Sequence, residues 1–203
     1  MNAEYVESLV KTCAWLSAQG LSYTLSSQYS SFVPSAREWT AVAQSGHDWE
    51  TKSFGGDRLS CDVVFWIDSD ISWEVSDFEK LLRSDLPFVS GLMPVSRDGR
   101  IGATRLVDGV FTLMDYWDFA LDGEPVEVDG VSLGFVAMKS WVFEKMERPW
   151  FKIRMGKVPG YDGEVNVGED YSFCLGVKEA GVPIYVDPSV KVSHYKGIVL
   201  SFG

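Results

Sequence analysis

Several things that large classes of protein require are scarce in this 203-residue chain. It has three cysteines and two histidines. Cys13, Cys61 and Cys174 are odd in number, widely spaced and set among apolar residues, which excludes a disulfide framework and a cysteine-based zinc site. They read as buried thiols in a reducing compartment. Lys and Arg number 18 against 29 Asp and Glu, for a net charge of -11, and the basic residues form no run. Binding a phosphate backbone needs clustered cations, so a general nucleic-acid binder is excluded. No stretch approaches the roughly 18 to 20 apolar residues of a spanning helix. The N-terminal segment carries Glu4 and Glu7 inside its apolar periodicity, unlike a signal peptide. Internal repeats and low-complexity tracts are also missing. These absences predict a cytoplasmic protein with no transmembrane segment, of one domain over residues 1–203. Its 46% hydrophobic and 14% aromatic content suffices for one substantial core. The acidity leaves room for a phosphorylated ligand, because a divalent cation can supply positive charge locally.

What is present reads as alternating elements. Val6, Leu9, Val10, Cys13 and Leu16 recur at helical spacing, with Gly20 as a stop. Residues 21–29 predict a strand and turn, and residues 35–43 a helix after Pro34. Residues 44–60 are polar and glycine-containing, a loop. Val63 to Ile67 is the continuous apolar run of a strand buried on both faces, and Asp68 ends it. A helix follows at 75–82 and a strand at 87–93. Residues 102–114 predict a hairpin about Asp108-Gly109. Further on come a strand at 131–138, a helix from Ser140 to Met146, a loop over 152–167, a helix from Gly168 ended by Gly181, and strands at 184–186 and 190–194. The fold class is α/β with a mixed sheet.

Three groups carry candidate chemistry. Asp68-Ser69-Asp70 lies where a buried strand emerges, which is where open α/β sheets hold ligands. Side chains two apart on a strand face the same way, so both carboxylates can approach one Mg²⁺ or Mn²⁺. The alternative is a polar turn. Glu169 and Asp170 open a helix, where capping explains carboxylates as well as catalysis does. His194 sits near a strand end, as a ligand or a structural residue. His47, in a polar loop, has nothing to recommend it. Gly134 either admits a ligand to the backbone or serves packing. Trp150 and Phe151 form either an acceptor platform or core, and Arg97 either meets phosphate or is solvated.

The order of these pieces changes their weight. VESLVKTCAWLSAQG, then SAREW, VVFWIDSDISW, LGFVAMKSWVFEKMERPWF and GEDYSFCLGVKEAGVPIYVDPSVKVSHYKG, with about a hundred residues between DSD and GED, resemble the GT-A glycosyltransferases. The likeness is to the inverting family-2-like enzymes of bacteria, phages and large viruses, and it runs from about Asn2 to Gly197. It implies a Rossmann-like GT-A fold, a mixed central sheet flanked by helices. It also implies transfer of a sugar from a nucleotide-sugar donor, UDP foremost, to a glycan or other hydroxyl acceptor. By the same resemblance Asp70 and His194 bind the metal. Asp68 contacts a metal-bound water or, with Ser69, Arg37 and Gly134, the donor. Asp170 is the general base and Glu169 positions the acceptor. Carboxylate with imidazole favours Mn²⁺ over Mg²⁺.

One departure is plain. Such enzymes begin with an apolar strand before the helix that starts here near Asn2. The apolar tail, residues 197–203, is a candidate to fill its place in the central sheet. Two other function classes fit part of the pattern. A sugar-phosphate nucleotidyltransferase would open with a Gly-rich phosphate loop, which is missing. A degenerate domain that binds glycans or a partner would keep the fold and lose the chemistry.

Overall fold

The structure, a computed structural model, describes residues 2–28, 30–43, 54–56 and 60–196, and the backbone alone at 199–200. Most of the expected loop over 44–60, His47 included, lies outside the described residues. Helix α1 (Ala3–Ala18) begins where the Asn2 side chain accepts the Tyr5 N–H at 2.7 Å. Its buried positions are Ser8, Thr12 and Leu16, with Leu9 packed against the core; Val6 and Val10 are exposed, so the inward face takes in part of the apolar stripe read from sequence and is rotated toward Ser8 and Thr12. The cause is Trp73. Ser8 Oγ donates to the Trp73 carbonyl at 2.8 Å and accepts its N–H at 3.1 Å, and Trp73 Nε1 donates to Thr12 Oγ1 at 2.9 Å.

No strand forms over the described part of 21–29. Leu21 and Leu25 are exposed, and no described strand pairs with them. Local β-propensity does not make a strand without a neighbouring ladder. Helix α2 (Val33–Ala41) starts two residues earlier than expected, with Pro34 in its first turn where the missing N–H costs nothing.

The central sheet holds β1 (Val63–Ile67), β3 (Phe88–Leu92), β6 (Val126–Val128), β8 (Phe135–Lys139) and β11 (Ile184–Lys191) in the order β1-β8-β3-β11-β6. It is mixed: β11 runs parallel to β3, and the other pairings are antiparallel. Alternate residues serve alternate faces. In β8, Val136 and Met138 pack with Phe173 and Val177 of α5 (Gly168–Glu179) and with α4 (Trp141–Lys145). Phe135 and Ala137 point the other way, with Phe78 and Leu81 of α3 (Val75–Arg83) and Leu16 of α1. Helices therefore flank both faces.

Two small sheets extend the frame. β4 (Arg100–Val107) and β5 (Val110–Asp115) form the expected hairpin, with Asp108 and Gly109 both at positive φ as a two-residue turn requires. β7 (Gly130–Val131) joins β4, so the expected strand over 131–138 is split between two sheets. β12 (Ser193–Tyr195) lies between β2 (Ile71–Ser72) and β13 (Val199–Leu200). The described part of the tail is thus a strand of this small sheet and not of the central one. The loop at 152–167 carries the short pair β9 (Met155–Gly156) and β10 (Val165–Asn166). Of the thiols only Cys174 is buried; Cys61 is exposed, because it precedes β1 instead of lying within it. No helix among the described residues is long and apolar enough to cross a membrane.

Candidate active site

β1 ends at Ile67, and Asp68, Ser69 and Asp70 form a turn instead of continuing the strand. Backbone bonds hold the turn: Asp68 N–H donates to the Gly134 carbonyl at 3.0 Å, Ile71 N–H to the Asp68 carbonyl at 3.1 Å, Asn2 N–H to the Ser69 carbonyl at 3.3 Å and Tyr195 N–H to the Asp70 carbonyl at 2.8 Å. A turn removes the two-residue repeat that would aim both carboxylates alike, and they have different partners.

Asp68 faces Arg37 on α2, with Oδ1 to Nη2 at 3.3 Å. The same Nη2 lies 3.0 Å from Asp170 Oδ1, and Arg37 Nε lies 3.7 Å from Glu169 Oε1. One guanidinium thus sits among carboxylates from the DSD turn and from the start of α5. Burial alone would lower the Arg37 pKa, but Asp170, Asp68 and Glu169 outweigh it and raise the value. Asp170 behaves oppositely. Loss of solvation raises its carboxyl, Arg37 pulls it down and the like charges of Glu169 and Asp68 push it up, with a net rise to about 6. Two buried polar atoms here lack a hydrogen-bond partner, Arg37 Nε and Asp170 Oδ1, the contact of the latter with Arg37 being electrostatic and poorly angled.

Asp70 faces His194, which β12 delivers because its register pairs His194 with Ile71. His194 Nδ1 is 2.9 Å from the Pro94 carbonyl, which can only accept, so Nδ1 carries a proton. Nε2 then faces Asp70 Oδ2 at 3.4 Å, and in the neutral ring it presents a lone pair there. When Nε2 carries a proton too, its bond to Asp70 holds that carboxyl below the ordinary carboxylate range, with Lys196 adding to the effect; without that proton the contact is one of two acceptors. Two acceptors facing each other, with the histidine tautomer fixed from behind, make a donor set that suits a divalent cation. Among the described residues no group of three or more His, Cys, Asp or Glu side chains is gathered for a metal, so Asp70 and His194 are a pair. A cation there would need ligand oxygens or water for its remaining positions.

The other candidates separate cleanly. Ser69 is exposed on the turn. Gly134 approaches Met93 so closely that a Cβ would lie 2.5 Å from Sδ, so packing accounts for the glycine while its carbonyl fixes Asp68. Trp150 and Phe151 are core, Phe151 stacking on Phe173 at 4.6 Å, which removes them as an acceptor platform. Arg97 is exposed in its turn. Sequence reasoning missed Pro94, whose carbonyl sets the histidine tautomer, and Glu38, buried beside Arg37. A carbonyl leaves no mark in sequence, but a Glu at that point of SAREW was visible.

The site belongs to a mixed α/β protein whose mixed central sheet is flanked by helices. No family model and no curated protein matches the chain. Among solved structures it is similar to A197 from STIV, with a TM-score of 0.53 and 19% identity over 94% of this chain and 82% of that one. The likeness is one of fold.

Proposed function

We propose that the chain is a metal-dependent glycosyltransferase of GT-A architecture, moving a sugar from a uridine diphosphate donor to a hydroxyl acceptor with inversion. The observation that carries this reading is the buried Arg37 among Asp68, Glu169 and Asp170, with Asp70 and His194 beside it at the end of β1. A pair that could hold a metal, a guanidinium and a carboxylate beside it are the parts that transfer from a nucleoside diphosphate needs.

The residues divide the work. Asp70 and His194 would hold Mn²⁺ or Mg²⁺, which supplies positive charge for the departing diphosphate. Arg37 Nε is free to donate to a diphosphate oxygen. Asp170 would accept the acceptor's hydroxyl proton as that oxygen bonds to the anomeric carbon and the carbon–diphosphate bond breaks. A base with its pKa near 6 is ionised at neutral pH yet basic enough to take the proton. Glu169 would orient the acceptor.

The test is a screen of nucleotide sugars against the purified protein with Mn²⁺, read by release of the nucleoside diphosphate. Release with a UDP-sugar that stops in EDTA is expected. No release from any donor, with glycan binding intact, favours a second reading: a binding domain in which Arg37 saturates Asp68 and Asp170 permanently.

A further inference from the structure

We infer that Glu38 is a positioning residue of this site, acting through its neighbour Arg37; the inference rests on the reading of Arg37 and its carboxylates as transfer machinery. Successive helix residues point about 100° apart. Arg37 turns to the sheet end, and Glu38 turns to the segment after α4. Both are buried, Glu38 to 2% exposure. A carboxylate buried to that degree is tolerated only when paired. Glu38 is paired at both oxygens: Oε1 accepts the Phe151 N–H at 2.8 Å, and Oε2 accepts from Arg148 Nη2 at 3.2 Å.

The segment it grips is itself locked to α5. Phe151 stacks on Phe173 with the rings 12° from parallel, and Arg154 N–H donates to Ser172 Oγ at 3.0 Å. Arg154 also pairs with Glu179. α5 is the helix that presents Glu169 and Asp170. Two routes therefore join α2 to α5, a direct one from Arg37 to Asp170 and an indirect one from Glu38 through Phe151 to Phe173. The second route fixes the distance that the first must span.

Little else on that side of α2 would do so. Glu38 lines a cavity of about 210 Å³ with Phe32, Pro34, Pro149, Phe151 and Ile153, so α2 backs there on open space. The N-terminal end of α2 has no side-chain cap, and Phe32 and Val33 are half exposed. Apart from Pro34, buried in the first turn, the inner apolar grip among the described residues comes from Ala41 and Val42 at the far end of the helix. With Glu38 gone, α2 can pivot on that end and carry Arg37 away from Asp68 and Asp170.

The test is a double-mutant cycle on the full chain, with Glu38→Ala, Arg37→Ala and both together. It is read by calorimetric affinity for UDP with Mn²⁺ and by melting of the metal-free protein. Glu38→Ala should weaken UDP about tenfold in the wild-type background and less than about twofold once Arg37 is gone, because residues acting through one another are not additive. Glu38→Gln keeps an acceptor for the Phe151 N–H and should recover most of the affinity. Equal losses in both backgrounds overturn the inference. If Glu38→Ala does not fold, Arg148→Gln takes its place in the cycle with Arg37→Ala, with the same two outcomes. A wild-type protein that binds no UDP sinks the glycosyltransferase reading by itself. The melting cycle then decides: non-additive losses retain the Glu38–Arg37 linkage, and additive losses reject it.

Discussion

Asp68 and Asp70 are two residues apart on one turn and similarly exposed, at 41% and 46% of their side chains, yet their electrostatic surroundings differ in kind. Asp68 leans on a permanent cation shared with Asp170 and Glu169. Asp70 leans on an imidazole whose Nδ1 proton is committed to Pro94, with Lys196 as the cation acting on it from the same chain. One half of the site is neutralised from within by Arg37; on the proposed reading the other half recruits a divalent cation. On the proposed reading the base lies in the first half and the metal pair in the second, so proton removal and leaving-group stabilisation could be broken one at a time.

The largest effect should come from the base. Asp170→Asn keeps the size and removes the proton acceptor, so transfer should fall about 10²–10⁴-fold while Mn²⁺ and UDP affinity persist. The same change tests the cost of the site. A carboxyl raised to about 6 in the fold and ordinary in the unfolded chain binds more protons when native. Its unfavourable contribution therefore grows as pH rises from about 4 to about 6 and is full above that. Asp170→Asn should accordingly raise the melting temperature at pH 7, with the gain shrinking below about pH 5 and gone near pH 3. A lower melting temperature at every pH would mean that the pairing with Arg37 outweighs the burial. NMR of the first-formed product tests the geometry, since retention at the anomeric carbon removes the role given to Asp170.

Next is the recruiting half. Asp70→Ala should weaken UDP binding in Mn²⁺ by roughly 10–100-fold and leave binding in EDTA unchanged, because the carboxylate acts through the cation. An equal loss with and without metal would show that Asp70 supports the turn instead.

How far this division could be read in advance depends on what each residue needs. The apolar run at 63–67 and the hairpin turn at Asp108-Gly109 are local signals, and both elements are where they were expected. The grouping of DSD, GED and His194 came from their order along the chain, and the fold does bring them to one end of the sheet. Partner choice was not legible. It depends on the strand ending at Ile67, on β12 pairing His194 with Ile71, and on Arg37 being buried instead of lying on a helix surface. The inward face of α1 was read only in part, through Leu9 and Leu16, for a similar reason: burial of Ser8 and Thr12 depends on the partners that Trp73 supplies. The tail was misassigned because an apolar run does not say which sheet will take it.

His194→Asn separates the two ring nitrogens, since the amide can occupy the place of Nδ1 and donate to Pro94 while nothing replaces Nε2. The Mn²⁺ concentration for half-maximal UDP binding should rise about tenfold, at the lower end of the range for a weakened metal shell. Melting of the metal-free protein should change little. A large melting drop with an unchanged Mn²⁺ requirement would make His194 a structural residue.

The smallest effect belongs to Asp68. Its carboxylate is well solvated and is one of several around Arg37, so Asp68→Asn should cost no more than about 1 kcal/mol of stability, as exposed ion pairs do. UDP affinity should fall only a few-fold, because Arg37 keeps Asp170 and Glu169 and stays in the site. Removing Asp68 also removes a like charge that raises Asp170, so the fall in transfer rate on the acid side, centred near pH 6 for the wild type, should move to slightly lower pH. The shift separates two accounts of the turn. If Asp68 touches only Arg37, the acid limb moves while the Mn²⁺ requirement stays fixed. If the Mn²⁺ requirement rises as much as it does for His194→Asn, Asp68 shares the cation with Asp70, and the division between the two halves of the site does not hold in the loaded protein.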